Sequence, residues 1–193
     1  MSLPYTINDN SFEPLFPEWV QKLSFEHWTP FDVADEAAAF LAHSPGLKIL
    51  DIGSGIGKFC LLEAKNYPQV QFDGIEQRLN LHEQAVTANN KCQLRNINFM
   101  HGNFTHVDFK QYQGFYFYNS IYENLEDCNK IDDRLLYSQS LYEYYSIFLR
   151  NGLEKMPSGT RVVTYKGTRN EIPFSYQLAD SSKDGLLRMW KKE

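Results

Sequence analysis

The stretch Ile49-Leu50-Asp51-Ile52-Gly53-Ser54-Gly55-Ile56-Gly57-Lys58-Phe59 decides how this chain is read. Leu47 to Ile52 is a short run rich in branched apolar residues, the composition of a strand buried on both faces. It carries Asp51 near its end and runs into glycines at positions 53, 55 and 57, after which the apolar spacing turns helical. A glycine turn between a buried strand and a helix lets a ligand approach bare backbone, with the first helical N–H groups aimed at it. The dinucleotide fingerprint Gly-x-Gly-x-x-Gly would place its third glycine at position 58, which is Lys. A nicotinamide-linked oxidoreductase is therefore the weaker reading of this loop.

The next informative segment is Val70-Gln71-Phe72-Asp73-Gly74-Ile75-Glu76, a second strand ending on a carboxylate. Glu76 follows Gly57 by 19 residues, close to the offset at which an acidic side chain meets ribose hydroxyls in nucleotide-binding βαβ units. Two hydroxyls are donors that an acceptor-only carboxylate can take together. Alone, Glu76 would read as a solvated strand end; after a glycine turn at this offset, the ribose role is the better one.

These two features together, Asp-x-Gly-x-Gly-x-Gly followed by an acidic strand end, resemble the first motifs of the class I S-adenosylmethionine-dependent methyltransferases. The rest of the chain has a matching order of elements. Residues 1–30 form an aromatic and Pro-rich segment, with Pro4, Phe12, Pro14, Phe16, Pro17, Trp19, Trp28 and Pro30, and Glu18 to Leu23 as a short helix. Residues 31–193 are expected to be one domain. A helix runs from Phe31 to His43 with Thr29 as its N-cap and Phe31, Ala34, Ala38 and Leu41 on its packing face. Helices Lys58 to Asn66 and Leu79 to Lys91 alternate with strands near Asn96 to Met100 and at Phe115 to Tyr118. A helix from Asp132 to Asn151 and a strand from Thr160 to Tyr165 follow. Pro173 to Leu178 and Gly185 to Trp190 read as an antiparallel hairpin around a polar turn. Such alternation predicts an α/β fold with a doubly wound, mostly parallel sheet and helices on both faces. The resemblance implies seven strands, closed by that C-terminal hairpin.

The resemblance also implies a set of site residues. Trp28 and Thr29, in His27-Trp28-Thr29-Pro30, match a Phe-Thr-Pro segment of amino-group methyltransferases that lies against the methionine part of the cofactor. Trp28 could also face a sulfonium cation, or plug the core under the first long helix. Asp51, Gly53, Ser54, Gly55, Gly57, Glu76 and Gln77 form the glycine-loop and ribose part of the S-adenosylmethionine site. In His101-Gly102-Asn103-Phe104, Asn103 stands where the family commonly has an acidic residue that accepts from the adenine amino group. The backbone N–H of Phe104 would reach the ring. Asn119-Ser120-Ile121-Tyr122-Glu123-Asn124 lies where the acceptor meets the methyl group. Enzymes that methylate planar amines carry Asn/Asp-Pro-Pro-Tyr/Phe there. This chain keeps Asn119 and Tyr122 but has Ser120-Ile121 in place of the prolines. A weaker resemblance exists to the seven-stranded histone-lysine methyltransferases. Asn119, Tyr122 and Glu123 are the catalytic candidates, with Glu123 as a base if buried; alternatively Glu123 and Glu126 are the acidic first turn of a helix.

Bulk properties bound the partners. Net charge is −5, so no overall basic field is present to hold nucleic acid nonspecifically. Cys60, Cys92 and Cys128 lie far apart, without Cys-x-x-Cys spacing or a nearby His partner, which predicts neither metal nor disulfide framework. No apolar run reaches membrane-spanning length, and a cytoplasmic protein is expected. The expected function is methyl transfer from S-adenosylmethionine to an unknown acceptor (protein, RNA or small molecule), with an amino group favoured. The alternative from another class is a cofactor- or partner-binding module without transfer, for which a tyrosine-rich surface at Tyr137, Tyr142, Tyr144 and Tyr145 speaks.

Overall fold

The computed structural model describes residues 12–125, 130–167 and 169–193. The predicted features at residues 1–11, Pro4 among them, and at Glu126 and Cys128 lie outside the described residues. The strands are β1 (Lys48–Ile52), β2 (Gln71–Glu76), β3 (Ile97–His101), β4 (Gly114–Tyr118), β5 (Arg161–Tyr165), β6 (Tyr176–Ser181) and β7 (Leu187–Lys192). The helices are α1 (Glu18–Gln21), α2 (Ser24–His27), α3 (Phe31–Leu41), α4 (Lys58–Asn66), α5 (Leu79–Cys92) and α6 (Gln139–Glu154).

The strands form one sheet in the order β3-β2-β1-β4-β5-β7-β6. The first five pair in parallel, while β7 is antiparallel to both β5 and β6. Alternate residues of the central strands feed opposite faces, as a period of two requires. Ile49 and Tyr116 pack in a layer with Ala34, Leu41, Phe59 and Phe72, whereas Leu50, Ile52, Phe115 and Phe117 pack with Leu149, Leu153 and Trp190. Helices on both faces bury the sheet, which explains why β1 and β4 are largely apolar. The order of strands reverses between β1 and β4, so the loops leaving their C-terminal ends part and open a crevice there.

Residues 12–28 pack into the first of these layers. Trp28 is buried, its ring 5.9 Å from Phe12 and 5.4 Å from Phe16. α3 ends at Leu41, two residues earlier than the spacing predicts, and Pro30 rather than Thr29 is its N-cap, without a side-chain cap. Thr29 Oγ1 instead shares a 3.1 Å hydrogen bond with the Tyr116 hydroxyl across the core. The predicted helix from Asp132 begins only at Gln139, where the Ser138 hydroxyl accepts from the Leu141 amide at 3.2 Å. Residues 130–138 run in irregular conformation. Their polar side chains are drawn to a cation on α5's side of the crevice, described below. The hairpin strands lie two to three residues beyond their predicted starts, with a bulge between Leu178 and Asp180.

Candidate functional site

The crevice is a cavity of about 850 Å³ at the C-terminal ends of β1, β2 and β4. Its size suits a drug-sized or nucleotide-sized ligand. Of the predicted residues, Trp28, Thr29, Asp51, Gly53, Ser54, Gly55, Glu76, Gln77, Phe104, Asn119, Tyr122 and Glu123 line it; Gly57 and Asn103 do not.

Gly53, Gly55 and Gly57 all adopt left-handed backbone, with φ of 75°, 54° and 77°. The loop is tied to the end of β2 by the amides of Gly53 and Ser54, which both donate to the Ile75 carbonyl at 2.9 and 3.0 Å. Within the loop, Gly53 and Gly55 line the cavity and serve different purposes. A Cβ on Gly53 would stand 2.2 Å from Ser120 Cβ, so this glycine lets the loops after β1 and β4 touch. A Cβ on Gly55 would meet nothing within 4 Å, so at this point of the lining the backbone is open to the cavity.

Glu76 is 5 % exposed. Its Oε2 accepts from the Gly55 amide at 3.0 Å and its Oε1 from the Arg78 amide at 2.8 Å. Burial pushes its carboxyl above the ordinary range, while the two amides and the Arg78 charge oppose that rise. Asp51, 4 % exposed, has the Cys60 thiol at 3.7 Å as its donor, and burial pushes its carboxyl up to about 8. Both carboxyl groups would ionise more readily beside the donors or positive charge of a ligand.

At the other side, Gln77 Oε1 accepts from Asn103 Nδ2 at 3.1 Å. The same Nδ2 reaches the Tyr145 hydroxyl at 2.8 Å, and Asn103 Oδ1 accepts from the Thr105 amide at 3.0 Å. The Asn103 side chain is thus committed to fixing the loop after β3, which is why it lies outside the cavity lining. Phe104, buried and packed 5.5 Å from the Tyr145 ring, forms the apolar floor there.

Asn119, next after β4, has φ of 50°, a left-handed conformation unusual for a residue with a side chain. Its Oδ1 is buried and makes no hydrogen bond among the described residues. Ser120, which replaces a proline of the resembling motif, donates its hydroxyl to the Ile52 carbonyl and so binds this loop to β1. Tyr122 donates to Glu171 Oε1 at 3.1 Å, as does Tyr142, so the buried Glu171 carboxylate holds the Tyr122 ring in the wall. Glu123 is ion-paired with Arg78 and accepts from the Ile131 amide at 3.1 Å, so its carboxylate is already engaged.

Arg78 was not singled out in the sequence, yet it organises the cavity. It is 7 % exposed and also reaches Asp132 Oδ1 at 3.3 Å and the Tyr137 hydroxyl at 2.7 Å. Burial works against its charge, but Glu123 and Glu76 more than offset that and hold its pKa above the usual value. The tyrosine-rich surface is largely inward-facing: Tyr137, Tyr142 and Tyr145 spend their hydroxyls on Arg78, Glu171 and Asn103, and only Tyr144 is exposed. Among the described residues no His, Cys, Asp and Glu group could hold a metal ion, and no helix is long and apolar enough to cross a membrane.

Comparison with solved structures shows where this fold recurs. TrmN from Thermus thermophilus superposes with a TM-score of 0.61 at 18% identity, over 83% of this chain and 48% of that one. The chain thus spans about half of TrmN. An RNA methyltransferase from Salinibacter ruber, solved with S-adenosyl-L-homocysteine, gives 0.60 at 16% identity, over 86% and 92%. A point mutant of MtNAS, solved with S-adenosylmethionine, gives 0.59 at 14% identity, over 93% and 69%. At these identities the likeness is one of fold. No curated protein matches the sequence. Residues 46–113 match the family described as "putative methyltransferase", a span that contains the glycine loop, Glu76 and the His101–Phe104 turn. The chain thus has the fold of these methyltransferases, and its residues 46–113 resemble a methyltransferase family in sequence.

Proposed function

We propose that this protein transfers the methyl group of S-adenosylmethionine to an amino group presented to Asn119. The observation that carries the acceptor half is Asn119, a residue of the cavity lining on left-handed backbone whose Oδ1 makes no hydrogen bond among the described residues. Strain and an unsatisfied acceptor persist where the surroundings enforce them, and they cluster at functional sites. The cofactor half rests on Gly55, whose bare backbone faces open space, and on Glu76 and Asp51, two buried carboxylates in the lining.

Bound in this cleft, S-adenosylmethionine supplies an electrophilic methyl group on a sulfonium. Glu76 accepts from the two ribose hydroxyls while the Gly55 amide keeps its Oε2 in place. Asp51 receives the positive ammonium end near the glycine loop, with Trp28 and Thr29 closing that side. Phe104 underlies the adenine, and Asn103 acts through the loop conformation that it fixes. Asn119 Oδ1 accepts an N–H of the incoming amine, which turns the nitrogen lone pair toward the methyl carbon. The Tyr122 ring, locked by Glu171, offers a flat wall for a planar acceptor. Glu123 keeps Arg78 in place and is not the base. A neutral amine needs little beyond alignment, and alignment alone can supply much of the barrier reduction. The acceptor class (protein, RNA or small molecule) is the open element of this reading.

The test is calorimetric titration with S-adenosylhomocysteine and NAD, followed by labelled-cofactor methylation of protein, RNA and small-molecule fractions. Selective micromolar binding of the first ligand and a labelled acceptor support the reading. Equal affinity for NAD would return the oxidoreductase, and tight binding without any labelled product would favour a binding module.

A further inference from the structure

Arg78 stands between the cofactor and acceptor halves of the cleft. Its guanidinium faces three carboxylates: Glu76 with Nη1–Oε1 at 3.7 Å, Glu123 through Nη2, and Asp132 with Nε–Oδ1 at 3.3 Å. Asp132 and Tyr137 belong to the irregular segment 130–137, which walls the cavity through Ile131, Leu135 and Tyr137. The polar ties of this strap converge on one point: the Ile131 amide donates to Glu123, and the Tyr137 hydroxyl donates to the Asp132 carbonyl at 2.7 Å while accepting from Arg78. Leu136, in the middle of the strap, is 88 % exposed, so the segment leans on these ties more than on apolar burial.

One guanidinium shared among three carboxylates leaves an excess of negative charge beside the cleft. Nη1 reaches Glu76 only at ion-pair distance, so Arg78 divides between Glu76 on one side and the strap on the other. Hydroxyl donors arriving on Glu76 would satisfy it and release the guanidinium to Glu123, Asp132 and Tyr137. We propose that Arg78 is a positioning residue that couples ribose occupancy at Glu76 to closure of the 131–137 strap, so that the acceptor wall is complete only with cofactor in place. The coupling rests on the assignment of Glu76 to the ribose made above. It implies ordered binding, cofactor before acceptor, because a strap that closes first on the ribose side presents Ile131 and Tyr137 to whatever enters next.

Hydrogen exchange of the full-length chain, read by mass spectrometry with and without saturating S-adenosylhomocysteine, tests this. In the wild type, amides of residues 131–137 should slow by about fivefold to a hundredfold on binding, the usual span of a coupling between two sites. The double variant Asp132→Asn, Tyr137→Phe removes the direct ion pair and hydroxyl bond from the strap to Arg78, keeps the Ile131–Glu123 bond, and leaves Glu76 and the glycine loop unchanged. Its amides around residues 132–137 should respond to ligand far less than in the wild type, and by reciprocity its affinity should fall by up to the same factor. A purely structural tie would raise basal exchange in the variant and leave the ligand-induced difference intact, which would overturn the proposal. So would wild-type protein that binds S-adenosylhomocysteine with unchanged strap exchange. Failure of the wild type to bind at all would overturn the proposed function and the coupling together.

Discussion

The Gly55 amide donates to Glu76 Oε2 at 3.0 Å, joining two residues 21 positions apart. This bond fixes the bare turn of the glycine loop against the carboxylate that ends β2. The glycine loop and the acidic end of β2, two features read separately from the sequence, are therefore one physical unit, and each constrains the other's substitution.

Gly55→Val should abolish binding of S-adenosylhomocysteine, with at least a hundredfold loss by calorimetry. The Cβ of the new side chain would meet no protein atom within 4 Å, and its branches would occupy the ligand's place instead. The φ of 54° adds strain of about 1–2 kcal/mol, so a modest drop in melting temperature should accompany it. Retained affinity would mean that the ligand does not lie against this turn.

Glu76→Gln should weaken the same ligand about tenfold to a hundredfold, since hydrogen bonds to a charged group are worth about 1.5–3 kcal/mol each. The ligand-free protein should lose stability as well, because the carboxylate also faces the Arg78 guanidinium at 3.7 Å. Calorimetry and thermal melts separate the two effects, and an unchanged dissociation constant would place the ribose elsewhere.

Asn119→Ala should leave cofactor affinity within a few-fold while removing most transfer to an acceptor identified in the methylation screen. Asn119→Gly should do the same with little change in melting temperature, since Asn is one of the residues that left-handed backbone tolerates. Full activity in either variant would remove Asn119 from the acceptor site.

Asp51 links stability to pH. Burial raises its folded-state pKa to about 8, against 3.8 for the free side chain, so the folded protein holds a proton that the unfolded chain releases. Stability is then lost as pH rises through that window. Glu63, also raised to about 8 by burial, acts in the same direction. The melting temperature of the ligand-free protein should fall between pH 5 and pH 8 (roughly the window between the two values), and Asp51→Asn should flatten that decline. Parallel melting curves for both proteins would rule out Asp51 as its source.

Alternation of strand and helix, the glycine loop and the acidic end of β2 were legible because each is written in neighbouring residues. Periodicity, turn chemistry and a fixed offset suffice to locate Asp51, Gly55 and Glu76, and the order of elements then implies the sheet. Other features depend on side chains that meet only after folding. Arg78 finds Glu123 45 residues on, Asp132 54 and Tyr137 59, and no local pattern marks that convergence. The same holds for Asn103, whose amide is taken by Gln77 and Tyr145, and for the segment before α6, whose apolar spacing reads as helix. There Arg78 pulls Asp132 and Tyr137 across the crevice, and the helix begins only where the Ser138 hydroxyl can cap it. Local spacing determined the fold and the meeting of the glycine loop with Glu76; the opposite wall of the cavity was decided by long-range hydrogen bonds around one buried cation, which cannot form until the sheet has brought their partners together.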